Sequence, residues 1–284
     1  MNWGERSLEA GLPLAAKESG LRQSIHGYKR VVVALSGGVD SSLLSLVAHQ
    51  ELGENAKAVI AVSPSLSRDA LEQARTVSRH IGIKLEEKPT NEVELSEYRV
   101  NDVNRCYYCR VVTFGAFVEA NPGVQVVAGF QRDDLGEIRP GLLAARQLGI
   151  RFPLIDAGLG KDDARDLARR SGLPNWNSAA DACLSSRFET GITISEETLS
   201  IVGEVEGAIR KVMGINNEYP IRVRVLSSLG IRLEVDESLK AIALAERERI
   251  RPILQSGFGE GISIYFGPYR SGSASRRRDD NEEY

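Results

Sequence analysis

The feature that most restricts the fold is a short loop between an apolar run and a helical pattern. The run RVVVAL predicts a strand buried on both faces, and LLSLVAHQEL predicts a helix. Between them stands SGGVDSS, residues 36–42. The adjacent Gly37 and Gly38 let backbone N–H groups surround an anion, and the serine hydroxyls and helix N-terminus add donors. The loop therefore predicts a phosphate-binding turn, distinct from the lysine-containing G-x-x-x-x-G-K-[ST] loop.

The first part of the chain alternates strands with helices. KAVIAVS and VQVVAG predict buried strands, and a shorter strand is expected near 84–87. Helices are expected over 69–80, 107–119 and 162–172, and another after Pro140. Such alternation predicts βαβ units, so we assign the α/β class, with a parallel sheet flanked by helices.

The pattern changes after about residue 187. A long helix opens at Ser195, PIRVRVLSSLGIRLEV alternates with period two around a turn, and a further helix precedes the strand GISIYF. We predict a first domain over 1–187, a smaller C-terminal α+β domain over 188–270 and a disordered tail over 271–284.

The glycine loop resembles the mark of the PP-loop ATP pyrophosphatases, S-G-G-x-D-S on the first strand-to-helix turn. The resemblance implies an adenine nucleotide alpha hydrolase-like fold, with ATP and Mg²⁺ as cofactors. In that superfamily the loop holds the β and γ phosphates while a substrate oxygen attacks the α phosphorus, which gives an adenylate and pyrophosphate. A turn that only reverses the chain is the alternative. The implied nucleotide-binding residues are Ser36, Gly37, Gly38, Asp40, Ser41 and Ser42.

Two of the three cysteines, Cys106 and Cys109, are spaced to lie one turn apart on a helix, and Cys183 lies far downstream. The histidines lack ligand spacing to them, which disfavours structural zinc. A redox pair would leave Cys183 without a role. Three thiolates suit a [4Fe-4S] cluster with an open iron for hydrosulfide. Three buried apolar cysteines are the simpler alternative.

Three further blocks, GFQRDDLGEIRPG, LPNWNSAADACLSSRF and IRVRV, resemble the LarE family in order and spacing. Its members are ATP-dependent sulfur transferases that make the nickel-pincer nucleotide cofactor of lactate racemase. The resemblance implies adenylation of a carboxylate of a pyridinium-3,5-dicarboxylate mononucleotide, followed by replacement of AMP with sulfur to give a thiocarboxylate. Such acyl transfer is chemically reasonable because AMP is a good leaving group and sulfur is a soft nucleophile.

The resemblance assigns the sulfur-bearing position to Cys183. Sacrificial members surrender the sulfur of that cysteine, and they have no cysteines where this chain has Cys106 and Cys109. The two extra cysteines imply the subgroup in which three cysteines hold [4Fe-4S] and the protein turns over repeatedly.

The same blocks supply most of the remaining candidates. The resemblance assigns Arg222 and Arg224 to a substrate phosphate, where planar guanidinium groups suit an anion; two solvated strand arginines are the alternative. Gln131 stands where many relatives have asparagine. Ser185, Ser186 and Arg187, beside the cysteine, are expected to line the same substrate pocket. The other candidates are Asp133, Asp134 and Glu137 for Mg²⁺ or nucleotide or as a polar loop, and, from the second domain, Glu206 and Glu234 for metal or sulfide.

Charge and hydropathy bear on the partners. The net charge of −3 gives no sign of a nucleic-acid partner, although a cluster-dependent tRNA thiolase of the same superfamily is an alternative, as is a non-catalytic nucleotide or iron–sulfur sensor. No run approaches about 20 apolar residues, so we expect a cytoplasmic protein without a membrane span. Several LarE relatives form ring-like hexamers, which makes a homo-oligomer one option.

Overall fold

The computed structural model describes residues 11–136, 140–179, 182–216 and 218–269, which form two compact units. Glu137 and the predicted tail lie outside the described residues. The first unit takes in described residues of Met1–Ser63, Asp69–Glu92 and Cys106–Asn177. The second takes in described residues of Pro64–Arg68, Val93–Arg105 and Ser178–Tyr284.

The regular elements are as follows. The helices are α1 (Leu14–Tyr28), α2 (Val39–Leu52), α3 (Arg68–Ile81), α4 (Ser96–Arg99), α5 (Arg105–Glu119), α6 (Pro140–Gln147), α7 (Pro153–Asp156), α8 (Lys161–Arg170), α9 (Glu196–Met213), α10 (Lys240–Ala245) and α11 (Arg247–Phe258). The strands are β1 (Val31–Ala34), β2 (Ala56–Val62), β3 (Lys84–Pro89), β4 (Gln125–Ala128), β5 (Ile221–Val225), β6 (Gly230–Val235) and β7 (Ser263–Pro268).

The first unit is built on a parallel sheet with the strand order β3-β2-β1-β4. The valines of β1 are almost completely buried, as expected for a central strand covered on both faces. Helix α2 packs against α1 and α8. The prediction of a parallel α/β domain is confirmed.

The carboxyl ends of β1 and β4 are adjacent in this sheet, and the backbone approaches closely there. A Cβ placed on Gly129, just after β4, would lie 2.7 Å from the amide nitrogen of Ser41 in α2. Only glycine leaves room for that approach, since real Cβ contacts are longer. The edge of the sheet that carries the SGGVDSS loop is therefore tightly packed.

The second unit is built on a three-stranded sheet with the order β5-β6-β7, in which β5 and β6 form the predicted antiparallel hairpin and β7 runs parallel to β6. The hydroxyl of Ser195 accepts from the amide of Thr198 and caps α9, which ends at Gly214 in the left-handed conformation. Helix α9 packs on β5 and on α11. Among the described helices, none combines the length and the apolar character needed to cross a bilayer.

Candidate active site

The SGGVDSS loop has a backbone that requires glycine. Gly37 has φ +83, and a Cβ on it would lie 2.7 Å from the carbonyl oxygen of Ala70 in α3. Gly38 occupies the N-cap position of α2 and has no side chain to bond the first-turn amides. Those amides therefore stay open to a ligand, as at phosphate-binding helix N-termini.

Two amide side chains hold the Gly37 carbonyl in place. Gln73 Nε2 donates to it at 2.7 Å, and Asn175 Nδ2 donates to it at 2.8 Å. In a trans peptide the C=O and N–H point in opposite directions, so this anchoring turns the Gly38 N–H away from the two amides. Neither Gln73 nor Asn175 was among the residues predicted from the sequence, because each lies far from the loop along the chain. Asn175 stands in the block LPNWNSAADACLSSRF, but nothing in that block links it to the loop.

The loop serines divide into exposed and buried members. Ser36 and Gly38 are exposed, whereas Ser41 and Ser42 are buried and donate to the Gly38 carbonyl at 3.0 and 2.8 Å. Asn175 also donates to the Ser42 hydroxyl at 2.9 Å. Ser41 and Ser42 thus stabilise the loop from its buried side, while Ser36 and Gly38 lie on its solvent-exposed side.

Asp40 lies in the first turn of α2 in an environment that disfavours its charge. Burial is the main cause that raises the pKa of its carboxyl to about 6, and the charge of Asp134 adds to the rise, whereas Lys161 and Arg165 oppose it. Mg²⁺ usually binds one or two carboxylates together with substrate phosphates, and a cation would relieve the repulsion between Asp40 and Asp134. These two carboxylates therefore fit a nucleotide-associated divalent cation.

The neighbouring acidic loop is ordered by its own side chains. Asp134 Oδ2 accepts from the amide of Gln131 at 2.9 Å, and Gln131 Oε1 accepts from the amide of Asp133 at 3.0 Å. Asp133 Oδ2 also accepts from the amide of Lys161 at the start of α8. Gln131 thus acts as a cap for the short turn Arg132–Leu135, which places Asp134 close enough to influence Asp40.

The titration of Asp40 predicts a pH effect on stability. Between its ordinary pKa of 3.8 and the folded pKa of about 6, the folded chain binds more protons than the unfolded chain. The stabilising contribution is therefore complete below 3.8 and is lost as the pH rises through 6, with an amplitude of about 3 kcal/mol at most. Urea unfolding of metal-free protein should show this fall in wild type and not in Asp40→Asn. The control Asp162→Asn, at an exposed site, should keep the fall in stability with pH. A stability profile of Asp40→Asn equal to that of wild type would show that Asp40 does not cause the fall.

Cys106 and Cys109 lie one turn apart near the start of α5, as predicted, with Cys106 exposed and Cys109 half-buried. Helix α6 approaches them closely, since a Cβ on Gly141 would lie 3.2 Å from the Cys106 carbonyl oxygen and 3.6 Å from its Cβ. Tyr107 Oη donates to Gln147 Oε1 at 2.7 Å and ties the two helices together. The pair is thus held on a packed helix start in the first unit.

Cys183 belongs to the second unit, where it is exposed and immediately precedes the short 3₁₀ turn Leu184–Arg187. Ser185 in this turn is fully buried, and its hydroxyl lies 2.5 Å from Tyr98 Oη. Within the described ranges, no three side chains of the His, Cys, Asp or Glu type come together as a metal site. Cys106 and Cys109 thus belong to the first unit, and Cys183 belongs to the second.

Arg222 and Arg224 project from the same face of β5, opposite to the apolar residues that enter the core. Both arginines are buried, so the alternative of a solvated pair is wrong. Arg224 Nε donates to Glu234 Oε2 at 3.0 Å across the hairpin, and Arg222 stacks on the ring of Tyr269. Arg232, directly opposite Arg224, is also buried.

A second buried ion pair joins Arg187 to Glu206, with two contacts of 2.9 Å. Together with the β5–β6 hairpin, this pair forms a group of six buried charged side chains. The members of this buried group are Arg187, Arg222, Arg224, Arg232, Glu206 and Glu234.

Comparison with known proteins adds independent information. The family model described as NAD synthase matches residues 14–102, which include the SGGVDSS loop. A protein of uncharacterised function from Synechocystis sp. is 40% identical over 225 residues, which is 78% of this chain and 82% of that protein. The pyridinium-3,5-bisthiocarboxylic acid mononucleotide synthase of Lactiplantibacillus plantarum is 30% identical over 264 residues, covering 91% and 94% of the two chains. A further protein of uncharacterised function from Methanocaldococcus jannaschii is 28% identical over 246 residues, covering 86% and 92%.

Proposed function

Because the chain belongs to the LarE family of ATP-dependent sulfur transferases, we propose that it converts a carboxylate of a pyridinium-3,5-dicarboxylate mononucleotide into a thiocarboxylate. The observation that carries this proposal is the near full-length match to a relative named for the bisthiocarboxylic product. The match extends through both units, whereas the NAD synthase model covers only the part that includes the nucleotide loop.

The first half-reaction activates the carboxylate. A carboxylate oxygen attacks the α phosphorus of ATP, the bond to the bridging oxygen breaks, and pyrophosphate leaves, so the acyl group becomes an adenylate. The loop amides after Gly37 and the N-terminus of α2 would bind the β and γ phosphates and stabilise the charge on the leaving pyrophosphate. Asp40 and Asp134 would hold the Mg²⁺ that these phosphates bring.

The second half-reaction is acyl transfer to sulfur. Hydrosulfide attacks the acyl carbon, the carbon–oxygen bond to the phosphate of AMP breaks, and the products are the thiocarboxylate, AMP and a proton. AMP leaves readily because its phosphate carries the released electron pair, whereas the original carboxylate oxygen would not. Two rounds on the two carboxylates give the bisthiocarboxylic product.

The phosphate of the substrate mononucleotide is assigned to Arg222 and Arg224. Support comes from the burial of both guanidinium groups on one face of β5, since their planar forks of N–H donors suit a phosphate. Ser185 contributes to this region through its bond to Tyr98, which fixes the turn beside Cys183.

The sulfide source is assigned to a [4Fe-4S] cluster held by Cys106, Cys109 and Cys183. The support is chemical: two thiols one helical turn apart suit one cluster, and a third thiol leaves one iron without a protein ligand. When bound, such a cluster would supply the sulfide that the second half-reaction consumes, and Cys183 would not have to be destroyed.

One assay separates this function from its rivals. ATP–pyrophosphate exchange should depend on the dicarboxylate mononucleotide and should not require tRNA. Exchange that requires tRNA would instead favour the thiolase, and no exchange with either substrate would favour a non-catalytic sensor.

The cluster assignment has its own test, independent of the exchange assay. Anaerobically purified protein should contain about four irons and at least about four acid-labile sulfides per chain, and Cys106→Ala should lose them. Iron-free protein after anaerobic reconstitution would refute the cluster and favour Cys183 as a sacrificial sulfur donor.

A further inference from the structure

The main-chain carbonyl groups around Cys183 are bound by arginine side chains. Arg187 Nη1 donates to the carbonyl of Ala182 and, at 3.2 Å, to the carbonyl of Cys183. Arg105 Nη1 donates to the Ser185 carbonyl at 2.8 Å. Hydrogen bonds from a charged donor are about twice as strong as neutral ones, so this turn is held more firmly than an ordinary loop.

Arg224 Nη1 adds a fourth such bond, to the carbonyl of Ser186 at 2.5 Å. The turn is therefore held on both sides of Cys183 by residues that come from different parts of the second unit. Leu184 completes the arrangement, because its amide donates to the Ser65 carbonyl at 2.9 Å.

Arg187 is itself fixed by Glu206. Nε and Nη2 donate to the two carboxylate oxygens at 2.9 Å each, and the two side chains are 1% and 8% exposed. Glu206 Oε1 also accepts from the amide of Val223 at 2.8 Å, which anchors the pair to β5. A buried ion pair contributes little net stability. The role of this pair is therefore better explained by the position in which Glu206 holds the Arg187 guanidinium.

The two carbonyls bound by Arg187 belong to the peptide groups on either side of Cys183. Holding both peptide planes with one guanidinium nitrogen fixes the φ and ψ angles between them, which are −54° and 153°. The backbone angles set the direction of the Cα–Cβ bond, and so they limit the thiol to the staggered positions about that bond. All three nitrogens of the Arg187 guanidinium are engaged in these bonds.

We propose that Arg187, held by Glu206, is a positioning residue that sets the orientation of the Cys183 thiol for sulfur transfer, rather than a direct ligand of the substrate. The proposal rests on the function proposed above and deepens it. It assigns the Arg187–Glu206 pair to the second half-reaction, since attack of the carboxylate on the α phosphorus does not need the thiol.

The test compares Arg187→Lys, Glu206→Gln and Glu206→Asp in the full-length chain. The readouts are ATP–pyrophosphate exchange, thiocarboxylate formation, and the rate and pH profile of Cys183 alkylation by iodoacetamide, followed on the Cys183 peptide by mass spectrometry. In Arg187→Lys and Glu206→Gln, thiocarboxylate formation relative to exchange should fall by about 100-fold, and the alkylation profile should shift. Glu206→Asp retains a carboxylate, so it should recover part of the thiocarboxylate formation and part of the wild-type alkylation profile.

Matched controls come from an exposed ion pair in the same unit. Arg249 Nη1 donates to Glu246 Oε2 at 2.8 Å, so Arg249→Lys and Glu246→Gln repeat the two changes away from the cysteine turn and should leave all readouts unchanged. Equal loss of exchange and thiocarboxylate formation in the test variants, or an unaltered alkylation profile, would overturn the positioning role. If wild-type protein shows no exchange, the proposed function fails, while the alkylation comparison still decides the role of Arg187.

Discussion

Replacement of Cys183 by alanine should reduce thiocarboxylate formation by about 1,000-fold or more, with a much smaller effect on ATP–pyrophosphate exchange. The reason is chemical: adenylation forms a phosphorus–oxygen bond and requires no thiol, whereas acyl transfer requires the sulfur that this position handles. Thiocarboxylate and AMP can be quantified by mass spectrometry, and exchange by transfer of labelled pyrophosphate into ATP.

The variant Cys183→Ser is the control for shape, because it keeps the shape of the side chain and replaces the sulfur with oxygen. It should be as defective as Cys183→Ala. Thiocarboxylate formed by either variant at the wild-type rate would refute a role for this cysteine. The mass of the wild-type protein after turnover then separates the two sulfur sources: a sacrificial donor loses the elements of H₂S at Cys183, whereas a cluster-dependent enzyme keeps its mass.

Replacement of Gly37 by alanine should both destabilise the protein and remove nucleotide binding. A left-handed φ of +83 costs a residue with a Cβ about 1–2 kcal/mol. The 2.7 Å approach to the Ala70 carbonyl adds an overpacking cost of about 1–3 kcal/mol, because backbone must shift. Any such shift moves the carbonyl that Gln73 and Asn175 hold, so we expect ATP affinity to fall by about 100-fold.

Gly123→Ala is the matched control for this change. Gly123 has φ +74, but a Cβ placed on it would meet nothing within 4 Å, so the variant should show the conformational cost alone and normal ATP binding. Urea unfolding and isothermal titration calorimetry measure the two effects. Equal destabilisation and equal ATP affinity in the two variants would contradict the prediction. They would show that the approach of residue 37 to Ala70 affects neither stability nor ATP binding.

Local patterns predicted the regular elements well where one residue type dominates a short stretch. The valine run of β1, the capped start of α9 at Ser195 and the alternation of the β5–β6 hairpin are properties of neighbours in sequence. Helix α1 was not predicted, because most of its residues are polar or small and its buried surface depends mainly on Leu21 and Ile25. Its position is determined by packing against α2, which no local spacing contains.

The same limit applies to the candidate site. The glycine loop and the cysteine spacing were visible because the motif residues are close in sequence. The bonds of Asn175 to Gly37 and of Arg187 to Glu206 depend on the tertiary fold. The burial of Arg222 was also unpredictable, since the apolar–charged alternation of β5 is equally typical of a strand with one face in solvent.

The discontinuous composition of the second unit has a consequence for biosynthesis. Residues 64–68 and 93–105 leave the ribosome well before the segment from 178 onward, which supplies the rest of that unit. Tyr98 is almost completely buried in the folded protein, and its hydroxyl can form the hydrogen bond to Ser185 only after Ser185 has been synthesised. The cysteine turn can therefore mature only after translation has passed residue 187, and a fragment that starts at 178 would lack the early segments that support it.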